Sequence, residues 1–286
     1  MRYFEPFIGG GAVCFSRYGV PSPFKWTGGK RRLLPEIVAA FGDRWTHRAD
    51  CHISDMNADL INVYHVMRDN NDELRERLEA YQNLYDLAVH EGLSRGHGLD
   101  CAQDLFYSIR AVDPTGLTQV EQAARLIFLI QTCFNGLYRV NQRGSFNTPY
   151  GKYRRATIVA PTLKLCGQAL RDCHIAQGDF EVTTSGASDG DLVYFDPPYI
   201  PISATSAFTG YTAAGFTMAD QERLAWWFTT LVARGATCVA SNAYSPTVVS
   251  LYSEHTLYAL TTQRTQAAMS GSRGAIQEYL IVGGKS

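Results

Sequence analysis

The amino-acid sequence predicts an α/β fold with a doubly wound sheet and a helical insert. Short apolar runs end in polar or glycine-rich turns, as do strands whose carboxyl ends meet at one edge of an open sheet. Segments with helical periodicity lie between and after these runs. From about residue 63 to 156 the chain is helix-rich and then loop-rich, and strand-like sequence resumes only near His174. We therefore expect one sheet domain in two parts, 1–62 and 157–286, interrupted by an insert at 63–156.

Four strands are predicted because a short apolar run precedes a turn or a polar residue, and a fifth is predicted to close the sheet at the C-terminus. These strands are residues 3–8 before Gly9, 51–54 before Asp55, 192–195 before Asp196, 236–240 before Ser241, and 277–284. The periodicity of apolar residues predicts helices at 31–41, 58–69, 72–90, 118–134 and 219–235. The last of these has Asp220 in its first turn and stops at Gly235, as helix-capping preferences require.

Composition indicates a folded protein rather than a membrane or disulfide-rich one. The 286 residues are 45% hydrophobic and 19% charged, and no apolar run approaches the roughly 20 residues of a membrane span. The first residues lack the apolar region of a signal peptide. Seven cysteines without CxxC spacing favour reduced thiols over a disulfide framework or a metal site, and a cytoplasmic location is expected.

The net charge of −1 conceals a local concentration of basic residues. Residues 139–155 contain five basic side chains and no acidic one, and Lys25, Lys30, Arg31 and Arg32 add a second cluster. Clustered basic charge suits a groove for a polyanion, although a solvated surface is an alternative.

Two features favour an adenosine-containing cofactor. The first predicted strand, which includes Phe7, runs into three consecutive glycines that would let the backbone approach a ligand closely. Asp55, at the end of the next strand, is placed to accept hydrogen bonds from ribose hydroxyls. Many tight turns are equally glycine-rich, and a lone aspartate after a strand is more often a helix cap, a role that Asn57 or Asp59 could share. The phosphate-binding sequence GxxxxGK[ST] is absent.

The segment Asp196-Pro197-Pro198-Tyr199 follows a predicted buried strand and suggests chemistry on an amine. Two prolines cannot continue a central strand, because each lacks the N–H that the ladder requires. A fixed carboxylate and the fixed Pro197 carbonyl could accept the two N–H bonds of an exocyclic amine such as adenine N6. Tyr199 offers a ring on which an extruded base could stack. An ordinary strand followed by a Pro-Pro turn explains the prolines, but not the acid and the aromatic together.

Over nearly its whole length the sequence resembles the Dam-type DNA adenine-N6 methyltransferases, in particular the restriction-modification branch that acts on GATC. The segments that carry the resemblance are FEPFIGGGAVCF (4–15), FKWTGGKRRLLPEI (24–37), SDMNADLIN (54–62), CFNGLYRVNQRGSFNTPYGKY (133–153), GDF (178–180), YFDPPYIP (194–201), SATSAFTGYTAAGF (203–216) and SGSRGAIQEYLI (270–281).

The resemblance implies a class I methyltransferase (Rossmann-like) fold whose insert recognises the DNA target. It implies S-adenosylmethionine as methyl donor, duplex DNA as partner, and a restriction endonuclease as a candidate functional partner. Two alternatives stay open: an amino-methyltransferase that acts on RNA or protein through the same DPPY segment, and a catalytically silent DNA-binding relative.

The resemblance also assigns residues to the cofactor and to catalysis. Asp55 would hold the ribose, Asp179 and Phe180 would border the adenine, and Asp196 would lie between donor and target. For Trp26 the alternative is core packing and for Lys30 a surface position, but both flank a double glycine, which favours a binding role. The full cofactor set is Phe7, Gly9, Gly11, Trp26, Lys30, Asp55, Asp179, Phe180 and Asp196, and the catalytic set is Asp196, Pro197, Pro198 and Tyr199.

For DNA, the resemblance implies that Phe134 to Leu137 enter the duplex beside the extruded adenine and that Arg139 reads a guanine, as a guanidinium can do through two hydrogen bonds. Core packing is a competing interpretation for Phe134 and Leu137, and solvation is one for Arg139. The full DNA-contacting set is Phe134, Asn135, Leu137, Arg139, Asn141 and Lys152.

One feature departs from the family pattern. In the family the KWTGGK block precedes the FxGxG block, whereas here residues 4–15 precede residues 24–37. The helix after KWTGGK would then connect the first strand to the Asp55 strand. We nevertheless expect Gly9, Trp26, Lys30, Asp55 and Asp196 to line one cavity.

Overall fold

The structure is a computed structural model that describes residues 1–47, 49–199, 215–263 and 275–284. Three segments of the family resemblance, 194–201, 203–216 and 270–281, therefore lie partly outside the described residues. Within the described part of the chain, no helix has the length and apolar character needed to cross a membrane.

The chain is a mixed α/β protein with a seven-stranded, mostly parallel sheet in the order β3-β2-β1-β4-β5-β7-β6. Strand β1 is parallel to both β2 and β4, and β4 is parallel to β5, whereas β7 is antiparallel to β5 and β6. The strands are β1 (Arg2–Glu5), β2 (Asp50–Asp55), β3 (His174–Gln177), β4 (Leu192–Phe195), β5 (Thr237–Ala243), β6 (Thr256–Gln263) and β7 (Ala275–Gly283).

Ten α-helices are found in the described residues. They are α1 (Ala12–Ser16), α2 (Leu34–Phe41), α3 (Ala58–Asp69), α4 (Asn71–Ser94), α5 (Asp100–Ala111), α6 (Gln119–Thr132), α7 (Leu163–Ala169), α8 (Phe180–Thr183), α9 (Met218–Ala233) and α10 (Pro246–Leu251).

The chain divides into two compact units. The first unit consists of Met1–Ile8, Lys30–Met56 and Ala176–Ser286, and the second of Gly9–Gly29 and Asn57–Ile175. The predicted insert, 63–156, lies within the second unit. This unit also contains the glycine turn (Gly9–Gly11) and the KWTGG sequence (25–29).

In the first unit, neighbouring residues of β1 pack toward opposite sides of the sheet, as the two-residue period of a strand requires. Tyr3 contacts the rings of Phe41 and Trp45, with centroids 6.4 and 5.5 Å apart. Phe4 instead belongs to a buried cluster that includes Phe195 of β4 and Phe228 of α9. Apolar side chains therefore cover both sides of the central strands.

In the second unit, helices pack on one another around a separate apolar interior. Helix α6 contacts α3, α4 and α5, and most of its residues are buried, which explains its nearly continuous apolar sequence. Its start is closed by a capping box, in which Thr118 and Glu121 bond to each other's backbone N–H.

The structure confirms the predicted strands and helices to within a few residues, and α2 does connect the parallel neighbours β1 and β2. Helix α9 also has its predicted start, since Thr217 and Asp220 form a capping box. The elements that were not predicted include strand β6 and helices α1, α5, α7, α8 and α10. Strand β6 is a half-exposed edge strand, and α5 buries only a narrow stripe, Ala102, Phe106 and Ile109.

Candidate active site

The DPPY segment starts where β4 ends. All four residues of β4 are buried, and Asp196 is the first residue beyond the strand. The Pro198 carbonyl accepts a hydrogen bond of 2.8 Å from Gln221 of α9, and Gln221 accepts one of 3.0 Å from Asn242 of β5. Because both prolines have restricted φ and this carbonyl is bonded, the segment is held in one conformation.

Four side chains of the first unit meet at this point. The Lys30 ammonium lies 2.9 Å from Asp196 Oδ1 and 3.7 Å from Glu278 Oε2. It also lies 4.6 Å from the centre of the Tyr199 ring, within cation–π range. The Tyr199 hydroxyl donates a hydrogen bond of 2.5 Å to Glu278 Oε2. Lys30 is only 7% exposed, so it is not the surface lysine of the alternative interpretation.

The pKa of Asp196 is raised to about 6, with burial as the largest cause. The charge and hydrogen bond of Lys30 act in the opposite direction, and the negative charge of Glu278 raises the pKa further. At neutral pH Asp196 is therefore an ionised acceptor. Burial also raises the pKa of Tyr199 well above its usual range, so its hydroxyl stays protonated and can donate.

Aromatic rings and a carboxylate also lie near strand ends in the first unit. The rings of Phe7 and Phe180 are 5.6 Å apart, and Phe216 lies 5.8 Å from Phe7. Asp55 ends β2, and its backbone carbonyl accepts a bond of 3.1 Å from Gly178. Apolar rings and a carboxylate after neighbouring parallel strands suit the base and ribose of a nucleoside.

Asp179 has structural partners. Its side chain caps α8 by accepting from the Glu181 N–H at 3.0 Å, and Arg223 of α9 binds both of its oxygens at 2.8 Å. These bonds to Arg223 are the largest cause of its lowered pKa. The guanidinium of Arg223 also lies 4.3 Å from the centre of the Phe180 ring. A role of Asp179 toward a cofactor stays a prediction.

In the second unit, the glycine turn packs against Trp26. A Cβ on Gly9 would lie 2.9 Å from the Trp26 ring, and one on Gly10 would lie 2.9 Å from Trp26 Cβ. Gly9 and Gly11 have φ values of 47° and 69°, which favour glycine. Trp26 also stacks on Tyr138, with centroids 5.6 Å apart. The lack of a side chain at Gly9 and Gly10 therefore allows Trp26 to pack closely against the glycine turn.

Asn57, rather than Asp55, caps α3, by accepting from the Leu60 N–H at 3.2 Å. Asp59 accepts a hydrogen bond of 3.0 Å from the Tyr138 hydroxyl. The helix-cap interpretation of Asp55 is therefore unnecessary for this helix.

Residues 133–153, named the recognition segment for the role that the resemblance implies, form a loop in the second unit that turns back on itself. Isolated bridges join Cys133 to Tyr150 and Val140 to Phe146. Phe134 is 43% exposed, which argues against the core-packing interpretation, and Leu137 is half-buried. Asn135 has a left-handed backbone with φ 57°, which an asparagine tolerates better than most residues.

Within the recognition segment, Arg139 is held by Asn147. Its Nε donates to Asn147 Oδ1 at 2.6 Å and its Nη2 donates to the Asn147 carbonyl at 3.1 Å. Exposed Asn141 closes the turn by accepting from the N–H groups of Arg143 and Ser145. Exposed Lys152 has φ 56°. The structure thus gives Asn141 a turn-forming role that the sequence did not predict.

The structure brings some of the predicted residues together within each unit: Lys30 with Asp196 and Tyr199, Phe7 with Phe180, and Gly9 with Trp26. The single cavity expected for Gly9, Trp26, Lys30, Asp55 and Asp196 stays a prediction, because these residues are distributed over both units.

Sequence reasoning missed Glu278, Gln221, Arg223 and Asn147. A charged residue inside the apolar closing strand, QEYLIVGG, was the one signal that could have identified Glu278.

Comparisons with known proteins show the family of this chain. Residues 43–266 match the family of D12 class N6 adenine-specific DNA methyltransferases. This chain belongs to that family and is an adenine-specific DNA methyltransferase. The match begins after both of the blocks whose order is exchanged.

Individual relatives align over most of their length. The chain is 37% identical to the type II methyltransferase M1.LlaDCHI of Lactococcus lactis, over 91% of this chain and 94% of that protein. It is 34% identical to the type II methyltransferase M.MjaIII of Methanocaldococcus jannaschii, over 85% and 74%. It is 26% identical to the DNA adenine methylase of Escherichia coli K12, over 90% and 93%.

Proposed function

We propose that this enzyme has the class I methyltransferase fold with a helical target-recognition insert. It takes its methyl group from S-adenosylmethionine and transfers it directly to N6 of an adenine turned out of duplex GATC. The observation that carries this proposal is Asp196, fixed at the end of β4 with Lys30 at 2.9 Å and the Tyr199 ring beside that lysine.

The chemistry requires acceptors for an amine. The lone pair of adenine N6 is delocalised into the ring, which makes it a poor nucleophile. The Asp196 carboxylate and the Pro197 carbonyl accept its two N–H bonds and thereby favour a lone pair directed at the donor. The cofactor supplies a methyl group made electrophilic by its sulfonium centre. The contribution of the protein is thus positioning and electrostatics rather than a covalent intermediate.

The residues of the first unit fit a nucleoside-containing cofactor. Phe7 and Phe180 provide apolar rings for the adenine, and Asp55 provides a carboxylate for the ribose hydroxyls. Trp26 and the glycine turn, which the resemblance assigns to the cofactor, pack on each other within the second unit.

The recognition segment supports DNA readout. Phe134 is exposed and precedes the left-handed Asn135 in a turn, which suits insertion of Phe134 beside an extruded base. Arg139 presents a guanidinium oriented by Asn147, as needed to bond guanine O6 and N7 together. Lys152 would contact phosphate, which positions the protein without specifying sequence. GATC itself rests on the resemblance of residues 133–153 to Dam-type enzymes.

The test is transfer of labelled methyl from S-adenosylmethionine to matched duplexes. One duplex carries GATC, a second carries GTAC, and a third carries GATC with N6-methyladenine on both strands. We expect labelling of the first alone. Equal labelling of the first two would refute GATC specificity, labelling of all three would place the methyl group elsewhere, and binding without labelling would indicate a catalytically silent protein. An RNA duplex and a protein extract in parallel reactions test the remaining alternatives.

A further inference from the structure

We infer that Glu278 is a positioning residue of the methyl-transfer site, which holds the Tyr199 ring and the Lys30 ammonium in the arrangement that Asp196 requires. This inference rests on the proposed roles of Asp196 and Tyr199 toward the target adenine.

Glu278 occupies an unusual place for a carboxylate. It lies within β7, opposite Ala243 of β5 and Leu260 of β6, and its side chain is only 13% exposed. A carboxylate withdrawn from water is costly unless it is paired and hydrogen-bonded. Lys30 and Tyr199 provide those interactions, so the three side chains stabilise one another's positions.

The bond to Tyr199 determines how its ring is oriented. Two prolines fix the backbone on one side of Tyr199, and the hydroxyl bond of 2.5 Å to Glu278 fixes the far end of the ring. A ring held at both ends presents a defined face for a base, with little rotational freedom left to lose on stacking.

Lys30 is shared between two carboxylates. Its ammonium is closer to Asp196 (2.9 Å) than to Glu278 (3.7 Å), and it lies 4.6 Å from the Tyr199 ring centre. Glu278 therefore anchors both neighbours of the proposed catalytic carboxylate. Glu278 itself makes none of the proposed contacts with adenine.

The charges make this role separable from simple structural support. The titratable groups around Asp196 are Lys30, Glu278, Tyr194 and Tyr199, with Glu5 acting on Tyr194. Glu278 raises the pKa of Asp196 because both are negative. Glu278→Gln keeps an oxygen that can accept from Tyr199 but removes this charge, so the pH below which activity is lost should move downward.

The experiment compares Glu278→Gln and Tyr199→Phe with wild type, with exposed Glu254→Gln as the matched control. Single-turnover transfer is measured against pH, together with the fluorescence of a duplex carrying 2-aminopurine at the target position. We expect the two site variants, Glu278→Gln and Tyr199→Phe, each to reduce the transfer rate about tenfold with little change in DNA affinity. Both should alter the fluorescence of the complex, and Glu278→Gln alone should shift the acid limb to lower pH.

Asp196→Ala in the same assay separates the two hypotheses. If Asp196→Ala transfers normally, the proposed function itself is wrong. If Asp196→Ala is inactive while both site variants match wild type in rate, acid limb and fluorescence, the inference about Glu278 is overturned. Should Glu278→Gln fail to fold, Tyr199→Phe, which keeps the ring and the glutamate, decides the matter through rate and fluorescence.

Discussion

The end of β4 and the recognition segment both carry charged side chains, but in opposite environments. At β4 the Lys30 ammonium is 7% exposed and lies near two carboxylates. In the recognition segment Lys152 is exposed, and the side-chain bonds of Arg139 are to the neutral Asn147.

The difference follows from what each region is proposed to bind. Buried charges must be compensated inside the protein, and once compensated they are fixed in place, which suits alignment of one reacting amine. Basic side chains that the protein does not neutralise keep their attraction for phosphate and guanine. The two regions should therefore respond differently to substitution, pH and salt.

The largest effect is expected for Asp196→Ala. Loss of the carboxylate should reduce the transfer rate by about 10²-fold or more, because the amine loses its charged acceptor while DNA binding stays nearly unchanged. Single-turnover transfer and fluorescence anisotropy with a labelled duplex measure the two properties. Transfer within a few-fold of wild type would remove Asp196 from the mechanism.

Arg139→Ala should act on specificity. Losing a bidentate contact with guanine should relax discrimination at one G·C pair by about 1–3 kcal/mol. Arg139→Lys is the matched variant, since it keeps the charge but loses the planar fork and should relax discrimination similarly. This discrimination is measured by competition between a GATC duplex and duplexes in which one base pair of the site is changed. If every duplex weakens equally, Arg139 is a phosphate contact.

As the pH is lowered, the rate of methyl transfer should fall before DNA binding weakens. Asp196 has a raised pKa of about 6, so it is ionised above that pH and loses its charge as the pH falls through it. At pH 5 about one tenth remains ionised, and the single-turnover rate should fall about tenfold. The side chain of Asp196→Asn cannot titrate, so the transfer rate of this variant should not show this fall at acidic pH. A wild-type rate independent of pH from 8 to 5 contradicts the assignment.

The smallest effect is expected for Lys152→Ala, which should weaken binding of all duplexes alike by a few-fold. Because one phosphate contact releases about one counterion, the slope of log affinity against log salt should decrease by about 1. Titrations at several salt concentrations measure it, with Lys164→Ala, outside the recognition segment, as control. A change confined to GATC duplexes would make Lys152 a base-reading residue.

Much of the fold follows from local sequence. The apolar run Leu192–Phe195 before Asp196 and the periodicity of Ala58–Asp69 both predicted the elements found there, because burial on both sides of a strand and on one side of a helix leaves a direct pattern. Strand β6 also carries a short apolar run, Leu257–Leu260, but these side chains are half-buried or exposed. An edge strand is partly exposed, so its pairing with β7 depends on a partner rather than on its own apolar residues.

For the site, the sequence by itself determined which residue types lie at the strand ends: Asp55 at the end of β2, and Asp196 with its prolines and tyrosine after β4. Only the tertiary structure decided which side chains share a charge or a hydrogen bond. Lys30 meets Asp196, and Glu278 meets Tyr199, across 166 and 79 positions of the chain respectively. The pair of Glu278 and Tyr199 depends on the order of strands in the sheet. Only β5 separates β4 from β7, so the end of β4 and Glu278 of β7 lie close together although they are far apart along the chain.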